Sequence, residues 1–366
     1  MLELIEDSLG RLLDDASPAT DTSSARPLIE SLHEAGMLDV LAPDADGEMP
    51  LAWRDAARLF MQLGAEAPDA PVADAILARA LVGASVDLLP VFTVLAIHPA
   101  ALTLDLVDGS ARLGGTLDGV PWGEEADAAV AVIGGGTGVG VSTSVGGNLG
   151  VGSAGGVGGA GGPGSKIVLV ARSAASEVRP RGTGVEARAA WRFDAADPMA
   201  VIDCPQALQP LLLAAAARAA QIAGAMRAAR ELTVHYANER VQFGKPIGRQ
   251  QAIQHRIAVM AEHSAMVGAA AMLAFAGDGP PASADRVATA KGLASEYAAE
   301  VAAAAHAVHG AIGFTDEYAL ARLTRRMWQW RSEYGGPATC YEAIGARVLS
   351  DPTEGVWPRV IETTRW

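Results

Sequence analysis

Arg240-Val241-Gln242-Phe243-Gly244-Lys245-Pro246-Ile247, followed by Gln250 and Gln251, interrupts a long alanine-rich region of helical character. On either side of it the apolar spacing predicts helices: Gln206 to Glu239 before, Gln250 to Phe275 after. A turn at Gly277-Asp278-Gly279-Pro280-Pro281 leads to a third helix over 283–309, with Ser283 as its cap. Residues 316–334 and 338–349 complete a set of helices long enough for an antiparallel bundle. Between the third and fourth helices lies His309-Gly310-Ala311-Ile312-Gly313-Phe314-Thr315. Taken alone, the Arg240 stretch is a helix-helix connection whose Phe packs in a core and whose Arg pairs with a carboxylate.

The two segments together, in this order, read otherwise. They resemble the acyl-CoA dehydrogenase family, with its R-x-x-F-G-x-P-I loop and later H-G-G-x-G-[FY]-T turn. The resemblance implies FAD as cofactor, acyl-CoA as substrate and an oligomer, because in that family the first loop serves the flavin of a neighbouring subunit. Carried over residue by residue, the implied cofactor-binding positions are Arg240, Gln242, Phe243, Gln251, His309, Gly310 and Gly313. The residue types suit the task. Arg240 offers a fixed fork of donors to a pyrophosphate, Phe243 offers an apolar face to adenine, and Gly310 and Gly313 let backbone approach a ligand closely.

Upstream the texture changes twice. Residues 90–204 carry short β-prone runs (91–97, 101–107, 111–117, 128–133, 166–170 and 185–193) separated by Gly, Pro and Asp, which predicts an antiparallel β domain. Residues 1–89 read as short amphipathic helices, one of them ending in the L-x-x-x-G-M run Leu32 to Met37. The fold class is therefore α+β: N-terminal helical domain (1–89), middle antiparallel β domain (90–204), C-terminal helical bundle (205–366). This is the order the acyl-CoA dehydrogenase resemblance implies. Within the β domain, Gly134 to Gly164 is about half glycine and holds two formal G-x-G-x-x-G matches, at Gly150 and Gly156. Composition alone generates them; no helix follows to aim at a phosphate and no ribose-binding acid stands about twenty residues on. The segment reads as a loop between strands and not as a dinucleotide site.

The bulk numbers exclude several classes. A formal net charge of -14 with no basic run argues against nucleic acid as partner. The acidic N-terminus is unlike a signal peptide, and the most apolar stretch, Leu211 to Met226, contains Arg218 and reads as a buried helix, so no membrane span is expected and the location is cytoplasmic. Cys204 and Cys340 are far apart without metal spacing, and His306 and His309 lack an accompanying ligand cluster, so no metal site is expected.

The chemistry that the resemblance implies needs a carboxylate base to remove a proton alpha to a thioester. The family holds it in a Y-E-G run after the glycine turn. The matching stretch is Trp330-Arg331-Ser332-Glu333-Tyr334-Gly335-Gly336. Glu333 is the candidate catalytic base, but ungapped spacing from Gly310 puts Tyr334 at the family's position, and one residue on a helix is about 100° of rotation. Glu333 can equally be a surface residue paired with Arg331 or Arg325. Residues 205–229, which hold the base in some relatives, contain neither Asp nor Glu. The family's T-E-P-x-x-G-S-D-like flavin segment has no counterpart in Phe92 to Pro99, and Ala307 stands where the family has Gln. Three readings follow: an FAD-dependent acyl-CoA dehydrogenase, alone or as a subunit of a homo- or hetero-oligomer; a non-catalytic subunit completing a partner's FAD site; and a flavin oxidase or monooxygenase.

Overall fold

The amphipathic runs of the N-terminus become helices α1 (Leu2–Asp15), α2 (Arg26–Glu34), α3 (Trp53–Glu66) and α4 (Val72–Val82). Proline in the first turn of α2 sits where its missing N–H costs nothing. The helix closes on Gly36, whose φ is +70°. The Gly36 and Met37 amides donate to His33 O and Leu32 O, both at 2.8 Å, which is a Schellman closure. This gives the L-x-x-x-G-M run its structural reason. α4 is buried along its whole length, and its Arg79 Nη1 donates to Asp39 Oδ1 at 2.8 Å.

The structure is a computed structural model that describes residues 2–15, 24–43, 47–97, 102–107, 110–134, 165–182, 185–205, 209–350 and 355–365. Two units make up the chain. The first comprises Met1–Ala56, Pro68–Ala214 and Asp278–Ala282; the second comprises Ala57–Ala67, Ala215–Gly277 and Ser283–Trp366.

In the first unit, strands β1 (Thr93–Leu95), β2 (Leu102–Val107), β3 (Ser110–Pro121), β4 (Ala128–Ile133), β5 (Lys166–Ala171), β6 (Glu177–Arg181), β7 (Arg188–Ala196) and β8 (Ala200–Asp203) form two four-stranded sheets. Their orders are β1-β4-β5-β8 and β2-β3-β7-β6. All pairings are antiparallel except one: β1 runs parallel to β4, with Thr93 opposite Ala128. β4 and β5 read as continuous apolar runs because both faces are covered. They pair from Ala128 opposite Ala171 to Ile133 opposite Lys166, so the glycine-rich segment joins two neighbouring strands. Residues 135–164, with both G-x-G-x-x-G matches, lie outside the described residues.

The second unit is helical: α5 (Pro210–Glu239), a hairpin of β9 (Val241–Gln242) and β10 (Lys245–Pro246), α6 (Gln251–Ala274), α7 (Ala284–His309), α8 (Ala319–Trp330), α9 (Pro337–Ser350) and α10 (Val356–Thr364). Ser283 caps α7 as expected, accepting from the Arg286 amide at 3.4 Å. Residues 57–66 of α3 belong to this unit and cross α5 through reciprocal glycines. A Cβ at Gly64 would stand 1.9 Å from Gln221 O, and one at Gly224 would stand 1.8 Å from Met61 O. Only glycine permits that approach. Phe60 meets Phe275 with ring centroids 5.9 Å apart, and Arg326 donates to Ala67 O. By length and composition α6 could cross a membrane; in the fold Met260, Val267, Ala271 and Ala274 are buried and the helix packs along α7.

Candidate functional site

The Arg240 stretch forms a two-residue hairpin at the end of α5. Lys245 pairs with Gln242 and Pro246 with Val241. The connecting residues Phe243 and Gly244 have φ of +53° and +77°, the arrangement of a type I′ turn. Gly244 adopts it freely; a phenylalanine there is strained. The hairpin is anchored at its base, where the Ile247 amide donates to Arg240 O at 2.8 Å and Ile247 packs with Ala237 and Val308. Its tip is not: the Phe243 side chain is 92% exposed. Arg240, Gln242 and Gln251 are exposed too, and none of the three makes a side-chain hydrogen bond or ion pair among the described residues. A fork of cationic donors and a flat apolar ring are thus both exposed on this hairpin.

The second predicted segment meets the first. α7 ends at Gly310, whose φ is +67°, and a 3-10 turn runs over Gly310–Phe314. Tyr236, one turn before Arg240, stacks on His309 with centroids 4.5 Å apart, and its hydroxyl donates to His309 O at 3.4 Å. His309 Nδ1 lies 2.9 Å from Ala305 O and its Nε2 lies 3.3 Å from the Tyr318 hydroxyl. His309 is thus a buried spacer between the two segments. Burial pushes His309 and His306 below the usual imidazole range, so both are neutral at pH 7. At Gly313 a Cβ would come within 3.0 Å of His309 Cβ and 3.1 Å of His306 Nδ1. The turn therefore folds flat onto α7, and His306 stacks against the exposed ring of Phe314, centroids 4.0 Å apart. Among the described residues no cluster of His, Cys, Asp or Glu could hold a metal. Neither cysteine is in a disulfide.

Glu333 lies elsewhere in the bundle, in the turn that follows α8. Its Oε2 stands 2.9 Å from Nη2 of Arg218 on α5, and Gln329 Nε2 donates to its Oε1 at 3.3 Å. The partner is neither Arg331 nor Arg325: Arg331 Nε donates to Ser295 O at 3.0 Å, while Arg325 pairs with Asp316. The Arg218 side chain is 2% exposed, that of Glu333 19%. The same guanidinium donates to Gln221 Oε1 at 2.7 Å and lies 5.5 Å from the Trp330 ring centre and 5.7 Å from that of Tyr334. The carboxylate is held by a cation on α5. Lys291 of α7, wholly buried, adds a second basic side chain at the turn.

Sequence reasoning assigned no role to Arg218 or Lys291. The available signal was each residue's isolation: a single cation within a run of small apolar residues on a helix that otherwise reads as core.

Residues 204–349 match the family model for the acyl-CoA dehydrogenase C-terminal domain. The chain is 40% identical over 100 residues to the acyl-CoA dehydrogenase IpdE2 of Mycobacterium tuberculosis, a segment covering 27% of this chain and 30% of that protein. The match thus spans less than a third of that relative's length. Solved structures resemble the chain over nearly its whole length. The ChsE4-ChsE5 complex from Mycobacterium tuberculosis superposes with a TM-score of 0.74 at 19% identity, covering 96% of this chain and 97% of that one. A variant of the Tcur3481-Tcur3483 steroid ACAD does so with a TM-score of 0.76 at 23% identity, covering 95% and 98%. At such identities the likeness shows the fold. The expected order of helices, β strands and helical bundle is that fold.

Proposed function

We propose that this chain, which carries a C-terminal domain of the acyl-CoA dehydrogenase family on the fold of those enzymes, is one subunit of a cytoplasmic FAD-dependent acyl-CoA dehydrogenase complex, and the less catalytic of its subunits. The observation that carries this reading is an asymmetry. The Arg240–Phe243 tip is exposed with no side-chain partner among the described residues, while Glu333, the candidate base, is tied to Arg218.

FAD, when bound, supplies the acceptor for the hydride leaving the beta carbon of an acyl-CoA. The residues present fit its adenine-pyrophosphate end: Arg240 supplies a charge-assisted fork for phosphate oxygens, Phe243 a ring face, Gln242 and Gln251 polar side chains beside them. His309, Gly310 and Gly313 keep the neighbouring turn flat. A general base must turn a carboxylate oxygen toward the alpha proton. In Glu333 one oxygen is engaged by Arg218 and the other by Gln329. Proton abstraction then falls to the partner chain, and this chain's part is to complete the partner's cofactor site.

Co-expression with an acyl-CoA dehydrogenase chain that has an intact Y-E-G run tests the proposal. The expected product is a yellow hetero-oligomer whose flavin content falls when Arg240 is replaced by Ala, by the ~1.5–3 kcal/mol of a charge-assisted contact. Purification of this chain alone as a yellow, active homo-oligomer overturns the helper role and returns Glu333 to the position of base.

A further inference from the structure

Lys291 is buried to 0% exposure in the middle of α7, and three neutral oxygens meet its ammonium. They are Ser295 Oγ at 2.6 Å, Gly335 O at 2.8 Å and Arg331 O at 3.1 Å. A cation in such a place is costly unless its bonds are well made. Two of its three acceptors are main-chain carbonyls at and just beyond the C-terminal end of α8, where carbonyls without helical donors carry negative partial charge.

The segment between those carbonyls is the one that bears Glu333. Arg331 is also tied back to α7 through its Nε bond to Ser295 O. Tyr334 and Gly335 then turn through φ of +55° and +109°. The first is strained for a residue with a Cβ and persists only where the surroundings hold it. Within the turn the Ser332 and Glu333 amides donate to Gln329 O and Trp330 O at 3.3 and 3.2 Å. Long, poorly closed bonds like these do not fix it. The Lys291 amino group does, because its N–H donors bridge residues 331 and 335.

We infer that Lys291 is a positioning residue, a clamp that fixes the 331–335 turn and thereby keeps Glu333 on Arg218 and Tyr334 against the same guanidinium. Its bearing on catalysis rests on the dehydrogenase reading; the clamp itself does not. Burial brings the Lys291 pKa from 10.5 to about 7, with Cys340 of α9 and Glu333 of the turn acting upward and Arg218 of α5 and Arg331 acting downward. The sign of the linkage follows. When the turn opens and water reaches the amine, Lys291 regains its ordinary basicity, so between pH 7 and 10.5 the open state binds a proton that the closed state lacks. Opening therefore becomes harder as pH rises above 7.

Hydrogen exchange of the assembled protein, followed by mass spectrometry on peptides covering 331–336, tests the clamp. After correction for intrinsic rates, protection of these amides in the wild type should rise about fivefold from pH 7 to 8 and about ninefold from pH 8 to 9. Peptides from the middle of α6 provide the pH-independent reference. Lys291→Met should abolish the slope and speed exchange of the turn at least tenfold at pH 7. A flat wild-type profile overturns the inference even if the variant does not fold, and so does a variant that keeps the slope. Neither result depends on flavin content or turnover, so failure of the clamp and failure of the dehydrogenase reading are distinguishable.

Discussion

Replacing Phe243 by Asn should have opposite effects on the isolated chain and on the assembled complex. Phe243 sits at φ +53° beside Gly244 at +77°. A left-handed backbone costs a residue with a Cβ roughly 1–2 kcal/mol, and Asn visits it far more readily. Asn-Gly is also the favoured pair for a type I′ hairpin. Because the ring is 92% exposed, no packing among the described residues returns that cost. The isolated Phe243→Asn protein should therefore hold its hairpin tighter by about 1 kcal/mol, seen as about fivefold slower proteolysis between residues 240 and 247. On the proposed function the ring is covered by ligand in the complex. Burying a phenylalanine is worth about 1.5–3 kcal/mol, so flavin should leave the variant complex about ten to a hundred times faster. Flavin release followed by fluorescence after dilution reads this directly. A variant complex that keeps its flavin as long as the wild type refutes the assignment of the ring to a ligand across the interface.

Two further substitutions test the bundle. Glu333→Leu leaves the buried Arg218 guanidinium without its counter-charge and should lower stability by about 3–5 kcal/mol, with Glu333→Gln costing less because its amide oxygen still accepts. Equal urea midpoints for wild type and Glu333→Leu would show that the pair is not structural. Gly224→Val drives a side chain into Met61 backbone and should exceed about 4 kcal/mol, whereas Gly345→Ala in α9, where a Cβ meets nothing within 4 Å, should be neutral or stabilising by up to about 1 kcal/mol. Comparable melting temperatures for these two variants would contradict the crossing described for α3 and α5.

The helices of the bundle were legible because their ends carry punctuation: Ser283 before α7, Gly310 after it, Pro337 opening α9. The hairpin and the glycine turn were legible because few residue types fit their backbones. β6 and β8 escaped notice: β6 is mostly exposed and carries no apolar run, and β8 is only four residues long with none of them buried. α10 was missed too; its apolar residues Val356, Trp357, Val360 and Ile361 remain exposed, so no core imposed a clear boundary. The parallel pairing of β1 with β4 depends on a partner distant in sequence, which no local pattern encodes. The setting of Glu333 was hidden for the same reason. Its partner Arg218 lies more than a hundred positions earlier, and sequence inspection of that helix looked for an acid where the structure holds a cation.

The crossing of α3 and α5 has a practical consequence for anyone cutting this gene. A fragment beginning near residue 204, where the family match begins, would omit residues 57–67. It would leave a groove along α5 at Gly224 and Gln221, strip Phe275 of Phe60, and deprive Arg326 of the Ala67 carbonyl. Such a piece should come out of the cell insoluble or molten. Supplying residues 53–67 as a separate peptide, or as a tethered N-terminal extension, should rescue it, because the unit that folds is discontinuous in sequence and borrows one strip of helix from the other end of the chain.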